Sequence, residues 1–226
     1  LDIITIGAGG GSIARIDMGG ALKVGPESAG AIPGPACYQS GGTKPTVTDA
    51  NVLLQRINPQ KILGGKMHIN QAVAQDSIRK HISELSGLSI LDAANVIIDV
   101  VNANMVRAIR VVSVERGYDP KDFTLMAFGG AGPLHAVALA KEIGIPRVLV
   151  PPSAGTLCSL GLLLTDIRSD HVYSRVISPS PAIVPDVKGI FEELEKEGTT
   201  ILDKEQVGLG DRSFLRLSLI HISEPP

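Results

Sequence analysis

Tryptophan is absent from this 226-residue chain, and aromatic residues make up only 3 %. A core therefore has to be assembled from Val, Ile, Leu and Ala. Cysteine is almost as scarce: only Cys37 and Cys158 occur, without metal-ligand spacing. That usage points to a reduced, cytoplasmic setting. No excess of one charge exists either. A formal net charge of −2 excludes the basic footprint that nucleic acid or an anionic membrane surface requires. No apolar run is long enough to span a bilayer. The first residues carry no basic region ahead of an apolar run, so no secretory leader is expected. What is present suits a folded chain. Hydrophobic residues make up 44 % and charged residues 19 %, enough for a sizeable core and too little charge for disorder. The 25 glycines and 15 prolines imply many fixed turns. The length suits one large domain, or one domain and part of another.

Along the chain, residues 2–6 read as a buried strand ended by Gly7, Gly9, Gly10 and Gly11. Residues 12–18 and 21–25 read as a hairpin about Met18-Gly19-Gly20. A long Gly/Pro loop, 25–48, has the length of a functional loop or a packed lid. Thr48 or Asp49 is placed to cap a short helix over 50–56. Residues 70–86 form an amphipathic pattern with Ala72, Ala74, Ile78 and Ile82 at near-helical spacing. Residues 91–116 lack Gly and Pro and are apolar almost all round. They predict a long buried helix stopped by Gly117 and Pro120. Strands over 123–128 and 147–150, with a helix through Lys141 between them, give a βαβ rhythm and a parallel pair. A charged helix is expected over 188–205. Both ends read as cut, and LSLIHISEPP (217–226) departs from the style of the preceding chain enough to be expected as a non-native tail.

Three glycine motifs carry the chemistry. IGAGGGS (6–12) half-fits G-x-G-x-x-G, with Ser12 where the last Gly would stand. A dinucleotide turn must open a helix, and this segment alternates like a hairpin, so the choice is a tight connection or a ligand contact. Ile16-Asp17-Met18-Gly19-Gly20 imitates an Asp-x-Gly-Gly phosphate loop but continues Ala21-Leu22-Lys23, and a hairpin turn is the better reading. FGGAGPLH (128–135) stands between a strand and a helix. Its glycines leave room for a flat base or ribose against the backbone, and the helix N-terminus favours anions. His135 there suits ligand contact, proton transfer or a structural role. The long loop adds Ser28, Cys37 and Tyr38, and a lone Cys is more often a small buried hydrophobe than a nucleophile. Asp49 suits a cation or a helix cap. Arg107 and Arg110 suit an anion clamp or buried carboxylates, and Arg116 and Asp119 suit the turn after the long helix.

Five segments in order resemble the hydantoinase A/5-oxoprolinase family: TIGAGGGSIARID, KVGPESAGAIPGPACY, PTVTDANVLL, SVERGYDPKDFTLMAFGGAGPLHA and VLVPPSAGTLCSLGLLLTDIRSD. The resemblance covers about residues 1–175. It implies an α/β fold, a partial actin-like (ribonuclease-H-like) ATPase lobe with a mixed sheet and flanking helices. Residues 176–216 would begin a C-terminal region. By the same resemblance Gly129, Gly130, Ala131 and Gly132 are nucleotide contacts, with Gly9, Gly10 and Gly11 as further candidates. The family's N-terminal lobe, which carries a Gly-Gly-Thr phosphate loop, and its Asp-x-Gly-Gly-Thr-Ser loop before IGAGGGS are not expected within this chain, so catalytic residues are not assignable and no metal ligands are expected within it.

The activity that this resemblance implies is ATP- and Mg²⁺-dependent ring opening of a cyclic amide such as 5-oxoproline or a hydantoin, with a hydantoinase B-type subunit or domain as partner. The chain alone is expected to be inactive and to expose apolar surface, with weak solubility or self-association. The alternatives are a subunit of an ATP-dependent ketone carboxylase and a nucleotide-binding scaffold without turnover. A dinucleotide oxidoreductase is the most distant reading.

Overall fold

The Asp17 carboxylate accepts hydrogen bonds from Gly19 N at 3.0 Å and Ala21 N at 2.9 Å, and Gly20 adopts a left-handed φ of +79°. The chain therefore reverses there. Strand β1 (Ser12–Ile16) pairs antiparallel with β2 (Leu22–Ser28) in the register Ile16↔Leu22, Ala14↔Val24. This is the hairpin anticipated from alternation, and Asp17 is consumed by its turn. The computed structural model describes residues 3–60, 67–174 and 183–217. It divides into two compact units, Leu1–Leu163 and Leu164–Pro226, described separately below. Residues 218–226 of the tail lie outside the described residues.

In the first unit, Thr46 caps helix α1 (Val47–Leu53) in a reciprocal capping box with Asp49. The cap therefore falls two residues before the expected Thr48, and Asp49 acts from inside the helix. Thr-x-x-Asp satisfies two orphan donors at once, which a cap at 48 or 49 would not. Helix α2 (Gln71–Ile78), capped by the Asn70 side chain, continues through a π turn at Arg79–Ser83 into the short α3 (Glu84–Ser86). The amphipathic pattern over 70–86 thus holds as three pieces. Ala74, Ile78 and Ile82 are fully buried, whereas Ala72 is exposed.

Helix α4 (Ile90–Val112) starts at the Ser89 cap, and a 3₁₀ turn, Val114–Arg116, leads into Gly117 at φ +83°. Its buried stripe is Ala93, Ala94, Ile97, Ile98 and Val101. The expectation of burial all round is corrected: one face enters the core, while Arg107 and Arg110 stand exposed. Branched Ile and Val at 3.6-residue spacing fill a core that holds no Trp or Phe. Ile97→Ala is expected to cost about 2–5 kcal/mol by leaving a cavity in this core, read as a fall in the urea midpoint at unchanged slope.

Strands β3 (Thr124–Met126) and β4 (Arg147–Leu149) pair in parallel, joined through helix α5 (Gly132–Ile143) as the βαβ rhythm indicated. Helix α6 (Leu157–Leu164) follows. In place of one mixed sheet, the described strands form two separate two-stranded sheets, one antiparallel and one parallel. The strand expected at 2–6 is not formed over residues 3–6, and Ile3 is 79 % exposed. An apolar run becomes a strand only beside a hydrogen-bonding neighbour, and these residues have none among those described.

The second unit centres on α7 (Val184–Lys204), the charged helix expected over 188–205, with Pro in its first turn. Arg216 grips Glu195 through two bonds of 2.6 and 2.9 Å and lies over the Phe191 ring. Arg212 pairs with Asp203 at 2.7 Å and also donates to the Val207 carbonyl near the helix C-terminus. His171 Nδ1 lies 3.2 Å from Glu197 Oε2, tying the segment before the helix onto it.

Candidate functional site

The Gly-Gly element begins where β3 ends. Ala127 N donates to Leu149 O at 2.9 Å, and Gly129 N donates to Ala154 O at 2.8 Å, so the turn is sewn to the segment after β4. Gly129 takes a φ of +82°, a conformation that L side chains rarely adopt. The chain then enters α5 at Gly132, where Pro133 opens the helix without wasting an N–H. A Cβ placed on Gly129, Gly130 or Gly132 would meet nothing within 4 Å. Protein packing therefore does not account for the missing side chains at Gly130 and Gly132. The surface beside a 12-residue helix N-terminus is bare backbone, the shape that a flat base or ribose can lie on.

IGAGGGS is built differently. Gly9 N donates to Ser12 Oγ at 2.9 Å, and Ser12 N returns to Gly9 O at 3.1 Å. Thr48 holds the Gly10 carbonyl through both N–H and Oγ1, each at 2.9 Å. Ala29 N donates to Gly11 O at 2.8 Å. A Cβ on Gly11 would lie 2.9 Å from Ser28 Oγ, while one on Gly9 would meet nothing within 4 Å. The turn leads into a strand, as the hairpin reading required. It also meets the other motif: a Cβ on Gly10 would stand 2.9 Å from Thr48 Oγ1 and 3.7 Å from Ala131 Cβ. The fold thus brings together two glycine turns more than a hundred residues apart in sequence.

His135, in the first turn of α5, is 1 % exposed. Its Nδ1 lies 2.7 Å from Asn102 Oδ1 on α4. Burial, reinforced by the charge of Arg56, pushes its pKa below the usual imidazole range, so the ring is neutral at pH 7. Asn102 was not singled out in the sequence. Its signal is an amide within the apolar run of α4. Thr48 was noticed only as a possible cap, and nothing local links it to Gly10.

The long loop is a packed element around Asp49. That fully buried carboxylate accepts from Cys37 N at 2.8 Å, Ala36 N at 3.2 Å, and Thr46 N and Oγ1 at 2.8 Å each. It serves as a cap and clasp, leaving no free face for a cation. Burial, with Asp49 beside it, pushes the Cys37 thiol far above the ordinary range, whereas Cys158 is exposed. Iodoacetamide is therefore expected to label Cys158 alone under native conditions and Cys37 only in denaturant, as read by peptide mass spectrometry. Ser28 Oγ accepts from Gly30 N at 3.1 Å, and Tyr38 is partly buried against the core. Asp119 caps the 3₁₀ turn Pro120–Asp122 through Lys121 N. Among the described residues no group of three or more His, Cys, Asp or Glu could hold a metal ion, and no helix is long and apolar enough to cross a membrane.

These features define an α/β protein with an open glycine turn at a helix N-terminus, buttressed by a second glycine turn. The chain belongs to the hydantoinase/oxoprolinase family, whose profile matches residues 1–171. It is similar to the crystal structure of ATP-dependent caprolactamase from Pseudomonas jessenii at 42 % identity and a TM-score of 0.68, covering 94 % of this chain and 31 % of that one. It is also similar to nucleotide-free acetone carboxylase at 28 % identity and a TM-score of 0.70, covering 88 % and 29 %. The gamma subunit of acetophenone carboxylase from Aromatoleum aromaticum is 46 % identical over 77 % of this chain and 24 % of its own length. The chain spans about a third or less of the length of these relatives.

Proposed function

We propose that this chain is part of a subunit that uses ATP to open a cyclic amide, and that it supplies the adenosine-side wall of the nucleotide site within an actin-like lobe. Gly129, Gly130, Ala131 and Gly132 form that wall, and Gly9, Gly10 and Gly11 buttress it from the hairpin side. The observation that carries this reading is the open backbone at Gly129, Gly130 and Gly132, at a helix N-terminus in a family with ATP-dependent members. An unstrained amide carbonyl is a poor electrophile, and ATP supplies the phosphoryl group that turns its oxygen into a leaving group. The residues of this chain bind and orient: Gly129 and Gly130 let the nucleotide approach the backbone, and the α5 N–H groups favour its negative charge. Mg²⁺ is held largely by substrate phosphates, water and one or two carboxylates, and no residue of this chain is assigned to it. A hydantoinase B-type partner would complete the hydrolysis. This part of the proposal rests on the family resemblance and on the subunit names of relatives.

A second reading is an ATP-dependent ketone carboxylase subunit, favoured by the likeness to acetone carboxylase. The test is ATP hydrolysis by the full-length subunit with its partner, with and without 5-oxoproline, hydantoin, caprolactam, and acetone plus bicarbonate. Stimulation by a cyclic amide is expected. Stimulation by acetone and bicarbonate alone would move the assignment to carboxylation. ATP binding that no substrate turns into hydrolysis would leave a scaffold.

A further inference from the structure

The buried His135 has one side-chain partner. Nδ1 and Asn102 Oδ1 are 2.7 Å apart, while Nε2 is buried without a hydrogen-bond partner. With the Asn102 amide oriented this way, those two facts favour one tautomer. A proton on Nε2 would bury an orphan donor and leave two acceptors, Nδ1 and Oδ1, facing each other. A proton on Nδ1 makes the Asn102 bond and leaves Nε2 as a bare lone pair, the less costly atom to bury unmet. The neutral ring that burial enforces suits this assignment. His135 Nδ1–H therefore donates from the first turn of α5 to the middle of α4, across 33 positions of sequence.

The bond is placed where it controls the glycine turn. His135 stands one helical turn after Ala131, and the chain before Ala131 is the open Gly129–Gly130 segment. Ala131 in turn borders Gly10. The upstream end of the turn is held by Gly129 N on Ala154 O. Its downstream end is the α5 N-terminus, whose side-chain anchor is the His135–Asn102 bond. We propose that Asn102 and His135 form a positioning latch that holds the α5 N-terminus, and with it the Gly129–Gly132 turn, in the geometry that receives the nucleotide. The latch rests on the nucleotide-site reading above. His135 is a positioning residue: it acts through the turn.

The replacements that test it differ in which nitrogen they keep. The amide of Asn occupies the place of Nδ1 of His, and that of Gln the place of Nε2. In the full-length subunit with its partner, H135Q and N102L are each expected to raise KM for ATP roughly tenfold to a hundredfold, because a displaced wall loses nucleotide contacts and each tenfold in affinity is about 1.4 kcal/mol. Their kcat should stay within about twofold, the signature of lost uniform binding. H135N, which keeps the donor, should remain near wild type, and the double variant H135Q/N102L should be no worse than either alone. Titration with a fluorescent ATP analogue reads the same ranking without turnover, and thermal melts identify any variant that fails to fold. Should H135Q not fold, N102D keeps the acceptor while N102L does not, and the pair carries the same comparison. Equal behaviour of H135N and H135Q, or a loss confined to kcat, would overturn the latch. Wild-type binding of the analogue together with unchanged variants overturns the latch alone. A wild-type subunit that binds no ATP overturns the nucleotide-site reading with it.

Discussion

Asp49→Ala is expected to remove about 3–5 kcal/mol of stability, the scale for breaking a buried network that leaves several donors unmet. The carboxylate is fully buried and accepts four hydrogen bonds, from Ala36 N, Cys37 N, Thr46 N and Thr46 Oγ1. Truncation strands three backbone N–H groups in a site that water does not reach, and each orphan donor costs on the order of 1–3 kcal/mol. The same change removes the inner half of the capping box of α1. Asp49→Asn keeps one acceptor oxygen but places an N–H₂ group among donors, so it should recover less than half of the loss. Denaturant titration followed by circular dichroism reads both. A loss below about 1 kcal/mol for Asp49→Ala would mean that the loop is held mainly by its packing around Cys37 and Val47, well under the scale for three orphaned donors.

Gly129→Val is expected to cut ATP affinity of the full-length subunit by about a hundredfold, a loss of about 3 kcal/mol of binding free energy. Two effects add. A branched residue resists the φ of +82°, at about 1–3 kcal/mol of strain. Its side chain also enters the open space reserved for the ligand, since a Cβ there meets no protein atom within 4 Å. The melting temperature should fall by several degrees from the backbone strain alone, since no neighbour is displaced. Gly42→Ala makes the contrast: its Cβ would collide with the Gly34 carbonyl, so it should damage folding and leave no binding defect in whatever folds. If Gly129→Val binds an ATP analogue like wild type, the open turn is not the nucleotide wall.

Local chemistry made much of this fold legible. The Asp17–Gly20 turn, the β3–α5–β4 unit and α7 each carry a self-sufficient signal: a side chain closing its own turn, apolar strands flanking a helix, charges on a helical period. What was not legible depended on neighbours. The run at 3–6 has strand composition, yet pairing belongs to two segments and cannot be read from one. Helix α4 is apolar nearly all round, but which face is buried depends on where α1 and the hairpin lie. The cap at Thr46 was readable in Thr-Val-Thr-Asp, since the capping box asks for an acid three residues on, and Asp49 fits Thr46 alone. At the site, the open turn at 129–132 was visible as a motif. The meeting of Gly10 with Ala131, and of Asn102 with His135, joins segments that only the fold makes neighbours.

The parallel pair β3–β4 contains two strands of three residues each, and among the described residues neither has a second strand beside it. Each outer rim therefore offers main-chain donors and acceptors in one fixed polarity. An extended backbone laid along either rim would complete its bonds whatever side chains it carried.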